Sequence, residues 1–299
     1  YLQLTFFVSN QITLLMLFPE MIGSAWSFDK GLWRRMLKYA LPLLIAGLAG
    51  ITNETIDRVL LKHLLPNPDI AASELGLYGA FYKLSIIMIL FIQTFRFAAE
   101  PFFFAQASEN KSRKVYADVM KYFTIITAII FLGVTIFYDL VKGFLGSEFH
   151  DERGFLVVSI LLLANLFLGI YFNLSIWFKL TEKTKYGAYL SIFGAIITLV
   201  LNFTLIPVFG FIGSAWATLA CYFSMVVASY FLGKKHFPIP YQLARIGAYL
   251  LVMLAIYFLV IIGGLNMWVN AIYLILFILL AILFERPKKT VISNPKLFD

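Results

Sequence analysis

Four polar residues interrupt an otherwise apolar stretch of the sequence, namely Asn53, Glu54, Asp57 and Arg58. On an α-helix, which turns by about 100° per residue, they fall within one arc of about 140°. Glu54 and Arg58 are also spaced i, i+4, so their side chains can pair. An amide, two carboxylates and a guanidinium on one face can hydrogen-bond sugar hydroxyls, bind a phosphate or titrate with a coupling ion.

The next apolar stretch carries Lys83, Arg96 and Glu100. Arg96 and Glu100 form a second i, i+4 pair. At about 1.5 Å per residue, Lys83 reaches the depth of Arg58, whereas Arg96 lies about 20 Å further along its helix. In a straight helix Lys83 points about 140° away from Arg96, so both face one cavity only if the helix bends.

These charges lie in a chain with the composition of a membrane protein. Its 299 residues are 61% hydrophobic and 13% charged, with a mean hydropathy of +0.87, whereas an ordinary globular domain is about 25% charged. A charged side chain at the bilayer centre costs at least about 2.5–3.5 kcal/mol on insertion scales, so each one requires an explanation. The structural alternatives to function are salt bridges between helices and snorkelling toward helix ends.

Nine stretches are long enough to cross a bilayer, which takes about 20 mostly apolar residues. They are 1–18, 37–61, 76–100, 119–140, 155–178, 186–206, 211–232, 243–262 and 268–284. Membrane barrel strands are shorter and alternate with period two, which excludes a barrel. The sequence therefore predicts an all-α, polytopic transmembrane helix bundle of about nine spans.

The basic residues alternate between the two ends of these spans. Of 24 lysine and arginine residues, 18 lie in every second connection, beginning with 19–36, in the first three residues of the span that follows, or in the tail; only Lys62, Lys142 and Arg153 lie at the opposite end. Short loops rich in lysine and arginine stay in the cytoplasm. This bias predicts a cytoplasmic C-terminus, and it explains the net charge of +8 without nucleic acid as a partner.

The sequence contains little that indicates a disulfide, a metal site or a catalytic motif. Cys221 is the single cysteine, which excludes an intrachain disulfide and predicts a packing residue. The acidic and histidine residues of 139–152 lack a metal-ligand spacing and indicate a solvated loop. Phosphate-loop, dinucleotide and nucleophile motifs are missing. We therefore expect no catalytic residue, metal site or cofactor, and no enzyme activity.

Three groups of motifs resemble one transporter family. They are KYALP (38–42) leading to Asp57-Arg58 and then LGLYG (75–79); Lys183-Thr184-Lys185 running to Leu201-Asn202; and LIPVFGFIGSAWAT (205–218). In this order they resemble the bacterial polysaccharide, O-antigen type, flippases of the multidrug/oligosaccharidyl-lipid/polysaccharide exporter superfamily. The third group is the most specific.

The resemblance implies two six-helix lobes, of which this chain holds the later part. Because the chain opens inside an apolar run without Met, we expect upstream sequence to precede it. The implied parts are the last helix of a first lobe (1–18), a cytoplasmic linker (19–36), a second six-helix lobe (37–233), two appended transmembrane helices (234–284) and a cytoplasmic tail (285–299).

The resemblance also implies an activity, namely moving an isoprenoid-diphosphate-linked oligosaccharide across the bacterial cytoplasmic membrane by alternating access. Glycosyltransferases, a polysaccharide polymerase and membrane lipid would be its partners. The expected substrate-binding residues are Asn53, Arg58, Lys83 and Arg96. The expected coupling or gating residues are Glu54, Asp57 and Glu100.

Other functions stay open. A multidrug/cation antiporter of the same superfamily would need acidic residues to dominate the cavity, whereas here three cations face three carboxylates. A lipid II flippase would carry a related substrate. A polysaccharide polymerase or ligase usually has a sizeable outer loop, and the longest outer connections here are about a dozen residues. A structural scaffold would leave the charged arc unexplained.

Overall fold

The computed structural model describes residues 2–23, 27–107, 112–263 and 266–285. These residues form helices and short connections and contain no strand. The helices are α1 (Leu2–Gly23), α2 (Lys30–Leu64), α3 (Pro68–Gln106), α4 (Ser112–Ile136), α5 (Tyr138–Lys142), α6 (Gly154–Leu174), α7 (Ile176–Leu180), α8 (Lys185–His236), α9 (Leu243–Gly263) and α10 (Met267–Phe284), with a 3-10 turn at Ser147–Phe149. In the described part of the chain, seven helical segments are long and apolar enough to cross a membrane. The protein is therefore a multi-pass membrane protein, and the predicted all-α bundle is confirmed.

The long helix α8 contains two of the predicted spans. It runs for 52 residues, but Gly210 has φ 57° and ψ −138°, a conformation that glycine adopts readily. The Ser214 hydroxyl donates to Asn202 Oδ1 at 2.9 Å, although these residues would lie about 18 Å apart in a straight helix. The chain thus reverses at Gly210, and the halves α8a (185–209) and α8b (211–236) form an antiparallel hairpin.

Small residues bring the two halves of this hairpin close together. A Cβ atom on Gly213 would lie 2.5 Å from the backbone oxygen of Leu205, so only glycine fits there without a shift. Further along the hairpin, the Cys221 thiol donates to the backbone oxygen of Gly194 at 3.3 Å. Cys221 is buried, and the prediction of a packing role is confirmed. Close approach through small residues is typical of membrane helices.

The central helix of the bundle is α6. It packs against α3, α4 and α8, and its side chains are buried on nearly every side. A helix that is apolar all round belongs at such a centre. α9 and α10 pack against α4 and expose large apolar side chains, for example Leu251, Phe258 and Ile275. Such an exposed surface suits contact with lipid.

Contacts between distant connections confirm that the helix ends alternate. The Arg113 guanidinium, at the start of α4, lies 4.7 Å from the centre of the Phe237 ring, which follows α8. We call this the basic end. Arg153, just before α6, bonds to Glu74 near the start of α3, and we call this the opposite end. The alternation of basic connections read from the sequence therefore matches the arrangement of these helices.

Some boundaries differ from the predicted ones. α1 ends at Gly23 and α2 begins at Lys30, so much of the predicted linker 19–36 is helical. The fourth predicted span ends at Ile136 rather than at 140, because Phe137 leaves the helical conformation before the short α5 begins.

The chain divides into two compact units, residues 1–41 and 42–299. All seven predicted site residues belong to the second unit. Of the predicted tail 285–299, all but Glu285 lies outside the described residues.

Candidate functional site

Two contacts hold the polar arc of α2 against α3. The Tyr78 hydroxyl donates to Asp57 Oδ2 at 2.6 Å. The Arg58 guanidinium lies 4.4 Å from the centre of the Tyr82 ring, within the range of a cation–π interaction. Tyr78 and Tyr82 are one turn apart on α3 and face the same way. We call the surface formed by Asn53, Glu54, Asp57 and Arg58 with these two tyrosines the α2–α3 face.

Three residues of the α2–α3 face are buried, namely Tyr78 of α3 and two residues of α2. Asn53 and Asp57 are each 2% exposed. Asp57 accepts hydrogen bonds from Tyr78 and from the Arg58 backbone N–H, but neither polar atom of the Asn53 side chain has a partner among the described residues. A buried polar group without a hydrogen bond costs about 1–3 kcal/mol. Asn53 is therefore a candidate for contact with a polar ligand.

Glu54 and Arg58 do not form the ion pair that their spacing allows. Among the described residues neither is in a salt bridge within 4.0 Å, because the guanidinium of Arg58 lies over Tyr82 instead. The Glu54 side chain is exposed, and it interacts electrostatically with both Arg58 and Arg96. Arg96 thus lies near enough to act on the α2–α3 face.

Arg96 and Glu100 form the predicted pair, with 3.8 Å between Nε and Oε1. The same carboxylate oxygen also accepts a hydrogen bond from the Lys179 ammonium of α7, which the sequence pattern placed in a connection. We call Arg96, Glu100 and Lys179 the Glu100 cluster. The Arg96 guanidinium also lies 4.8 Å from the centre of the Phe172 ring, so it faces α6.

Lys83 lies apart from the other cations. It follows Tyr82 on α3 and therefore reaches the depth of Arg58, as predicted. Its side chain is exposed and has no carboxylate within 4.0 Å in the described part of the chain. Its neighbours at i+4 and i+7, Ile87 and Leu90, are exposed as well. The structure brings Arg96, but not Lys83, into contact with α6.

A chain of hydrogen-bonding groups links the α2–α3 face to the hairpin. Tyr78 donates to Asp57 and lies within hydrogen-bonding reach of Ser214, which in turn bonds to Asn202. All four residues are buried. In the sequence, Asn202 and Ser214 lie in motifs that resemble the flippase family, and Ser214 is also one of the small residues that favour close helix packing. Their mutual hydrogen bond gives them a physical role in closing the hairpin.

The sequence did not predict a second polar network, which lies at the opposite end. Arg153 donates to Glu74 Oε1 at 2.8 Å and to Asp151 Oδ2 at 2.9 Å. The hydrogen bonds from Arg153 to Asp151 lower the pKa of Asp151. The second oxygen of Glu74 accepts from the Phe211 backbone N–H at 3.3 Å, directly after the turn at Gly210. The only available signal was a carboxylate immediately before LGLYG.

A cavity of about 550 Å³ lies at the opposite end, away from the predicted site. It is bordered by α4, α5, α6, α9 and α10, and its lining includes Tyr138, Lys142, Glu152, Val260 and Met267. None of the seven predicted site residues lines it. Within the described residues no group of three or more His, Cys, Asp or Glu could hold a metal ion. The α2–α3 face is therefore a candidate site because of its charged residues and their contacts, and not because it lines a large cavity.

Comparison of the chain with protein-family models, with curated proteins and with solved structures gives no match. The resemblance to the polysaccharide flippases therefore stays a prediction. The chemistry of the α2–α3 face and of the Glu100 cluster carries the functional conclusion.

Proposed function

We propose that the protein is a flippase that moves an isoprenoid-diphosphate-linked oligosaccharide across the bacterial cytoplasmic membrane by alternating access. The supporting observation is that two cations inside spans form no direct salt bridge with a carboxylate of the described residues. Arg58 and Lys83 have no carboxylate within 4.0 Å among the described residues. A cation in the bilayer is costly and normally pairs. A diphosphate supplies that charge, and arginine binds it through two parallel hydrogen bonds.

The rest of the α2–α3 face suits the sugar part of this substrate. A sugar–diphosphate head group cannot cross hydrocarbon unaided, because its charges and hydroxyls would lose their hydrogen bonds to water. Asn53 offers an acceptor and two donors that no described residue uses. Glu54 offers an exposed carboxylate beside it. Sugar hydroxyls both donate and accept, so they match this set.

The three intramembrane carboxylates are assigned to coupling or gating. Asp57 lies where α2 meets α3 and is bonded to Tyr78, so a change in its charge would act on the contact between the helices. Glu100 joins α3 to α7 through Lys179. Glu54 lies between these two positions in the electrostatic reach of Arg58 and Arg96.

The orientation and partners follow from the same proposal. The basic end faces the cytoplasm, where lysine-rich and arginine-rich connections are retained, and the C-terminus lies on that side. Glycosyltransferases that assemble the oligosaccharide and a polymerase that consumes it are the proposed partners. The flippase acts without a cofactor and is not an enzyme.

The hydrogen bonding of the carboxylates favours this substrate over a cationic drug. A multidrug antiporter of the same superfamily needs free carboxylates to bind a cation. Asp57 and Glu100 are both hydrogen-bonded within the protein, which leaves Glu54 for such a cation. Lipid II carries the same diphosphate, so the α2–α3 face also suits that substrate.

The test uses the full-length protein in its host. After deletion we expect lipid-linked oligosaccharide to accumulate on the cytoplasmic leaflet and surface glycan to fall. Wild type and Lys62→Ala, which removes an exposed cation one turn beyond Arg58, should restore export, whereas Arg58→Ala should not. Equal amounts of protein in the membrane are the control for folding.

Two outcomes would contradict the proposal. Normal glycan export by Arg58→Ala at wild-type protein levels would remove Arg58 from the site. Unchanged lipid-linked oligosaccharide after deletion, together with greater sensitivity to cationic drugs, would assign the protein to the antiporter branch.

A further inference from the structure

In the Glu100 cluster one carboxylate lies between two cations. Glu100 Oε1 accepts a hydrogen bond from Lys179 and lies 3.8 Å from Arg96 Nε. The cluster therefore carries one net positive charge, and a single carboxylate serves both cations. An anion with more charge and more acceptor oxygens than a carboxylate would bind the same pair of cations more strongly.

Of the three side chains in the Glu100 cluster, that of Lys179 is the most buried. The side chain of Lys179 is only 16% exposed, at the end of α7. Arg96 is held by the Phe172 ring, 4.8 Å from the guanidinium carbon. The Arg96 and Glu100 side chains are 35% and 37% exposed. Glu100 has open space to turn toward, whereas burial of Lys179 and the Phe172 contact of Arg96 favour fixed positions for the two cations.

A buried acceptor forms part of the wall beside this cluster. Asn173 of α6 is 3% exposed and uses its amide N–H to bond the Gly169 backbone oxygen at 3.0 Å. Its Oδ1 atom has no partner among the described residues. Asn173 lines, together with the Glu100 cluster, a cavity of about 10 Å³, which is room for about one water. The Glu100 carboxylate therefore fills the space between the cations.

We propose that Arg96 and Lys179 form a binding site for the lipid's diphosphate at the basic end, and that Glu100 occupies this site until the diphosphate displaces it. Glu100 is an internal competitor that keeps both cations paired in the membrane between substrates. Asn173 Oδ1 then accepts from a protonated phosphate oxygen or a sugar hydroxyl. The identity of the anion rests on the proposed function, whereas the site rests on the contacts of α3, α6 and α7.

The experiment measures binding of inorganic pyrophosphate to the purified full-length protein by calorimetry. Glu100→Gln removes the competing charge but keeps the side-chain length, so we expect about tenfold tighter binding. Lys179→Gln removes one cation, so we expect about tenfold weaker binding. The matched controls are Glu182→Gln and Lys234→Gln, whose parent side chains are exposed near the same end. Both controls should bind like wild type.

The decisive result is that Glu100→Gln binds pyrophosphate more tightly than wild type, whereas Lys179→Gln binds it more weakly. If the cluster only fastens α3 to α7, both variants unfold at lower temperature and neither binds pyrophosphate more tightly. A folded Glu100→Gln protein with unchanged or weaker affinity would overturn the proposal. If Lys179→Gln fails to fold, Lys179→Arg should bind like wild type. The affinity of Glu100→Gln alone then decides whether Glu100 competes with the anion.

The proposed function can fail independently. The two variants could change pyrophosphate affinity as expected while deletion leaves lipid-linked oligosaccharide unchanged on both leaflets. That result would support the anion site and contradict the flippase assignment. A protein that fails the pyrophosphate test but accumulates the lipid on deletion would keep the flippase assignment and lose the anion site.

Discussion

The α8 hairpin and the α2–α3 face both place polar residues inside membrane-spanning helices, but they treat these residues in different ways. In the hairpin, Ser214 and Asn202 are neutral, buried and bonded to each other. On the α2–α3 face, Arg58 has no carboxylate partner and Asn53 has no hydrogen-bond partner among the described residues. Polarity in the hairpin serves close helix packing. Polarity on the face exceeds what packing needs, and we propose the face as the functional surface because of this excess.

The two regions meet at Tyr78. Its hydroxyl donates to Asp57 on one side and lies within reach of Ser214 on the other. A movement of α2 relative to α3 must therefore keep or break a bond that is connected to the hairpin.

The largest expected effect comes from glycine substitutions in the two regions. Gly213→Ala places a Cβ atom 2.5 Å from the Leu205 backbone oxygen, so we expect a loss of up to about 3 kcal/mol in the free energy of unfolding. Gly50→Ala on α2 meets nothing within 4 Å and should stabilise the helix by about 0.5–1 kcal/mol. Thermal unfolding of the purified proteins measures both. Equal destabilisation by the two variants would show that the α8 hairpin is not more closely packed than this part of α2.

A pair of asparagine substitutions tests the distinction directly. Asn202→Leu leaves the buried Ser214 hydroxyl without its acceptor and should cost about 1–3 kcal/mol of stability. Asn53→Leu removes an amide that has no partner and should raise stability by a similar amount, about 1–3 kcal/mol, while glycan export is lost. Unfolding temperature and export are measured together. An Asn53→Leu protein that exports normally would show that Asn53 does not contact substrate.

The tyrosines of α3 should differ although they are one turn apart. Tyr78→Phe removes the donor to the buried Asp57 carboxylate and should cost about 1.5 kcal/mol. Tyr82→Phe keeps the ring over which Arg58 lies and removes only a hydroxyl within reach of the guanidinium, so its effect should stay below about 1 kcal/mol. Denaturation of both variants under one set of conditions gives the comparison. The reverse order would mean that the Arg58 contact, rather than the Asp57 bond, holds the two helices together.

The smallest expected effect concerns the network that braces the hairpin turn. Bonds from Arg153 lower the pKa of Asp151. A lowered pKa in the folded state stabilises the fold above the unfolded pKa of about 3.9, and this contribution is lost as the pH falls further. Because the Arg153 side chain is 41% exposed, Arg153→Gln should cost less than about 1 kcal/mol at neutral pH.

The pH series supplies the check on this prediction. The difference in unfolding temperature between wild type and Arg153→Gln should shrink between pH values of about 5 and 3, as Asp151 becomes protonated. A difference that stays constant over this range would assign the effect of Arg153 to its bond with Glu74 and to the Phe211 ring, whose centre lies 4.4 Å from the guanidinium carbon.

Much of the architecture was predictable because it depends on local patterns. Long apolar runs predicted helices, and the alternation of basic connections predicted which ends lie together. The i, i+4 spacing of Arg96 and Glu100 predicted their pair, which is confirmed at 3.8 Å. The same rule allowed a pair between Glu54 and Arg58 that does not form, because spacing along one helix does not reveal a tyrosine on the neighbouring helix.

The site was predictable in part. The polar arc of α2 and its burial against α3 follow from a helix that carries Asn53 and Asp57 on one side. The partners of that arc were not predictable, since Tyr78 and Tyr82 read as ordinary aromatic residues in an apolar span. In the sequence, Lys179 did not differ from the other lysines of the basic connections.

By itself the sequence determined that this protein is a multi-pass helical bundle with charged residues inside its spans, because hydropathy and the helical period are properties of neighbouring residues. Only the tertiary structure decided the partners of those charges. Lys179 reaches Glu100 across 79 residues of chain, and Glu74 reaches the backbone of Phe211 across 137 residues. Such contacts depend on which helices lie side by side, and that depends on the packing of whole faces rather than on any local pattern.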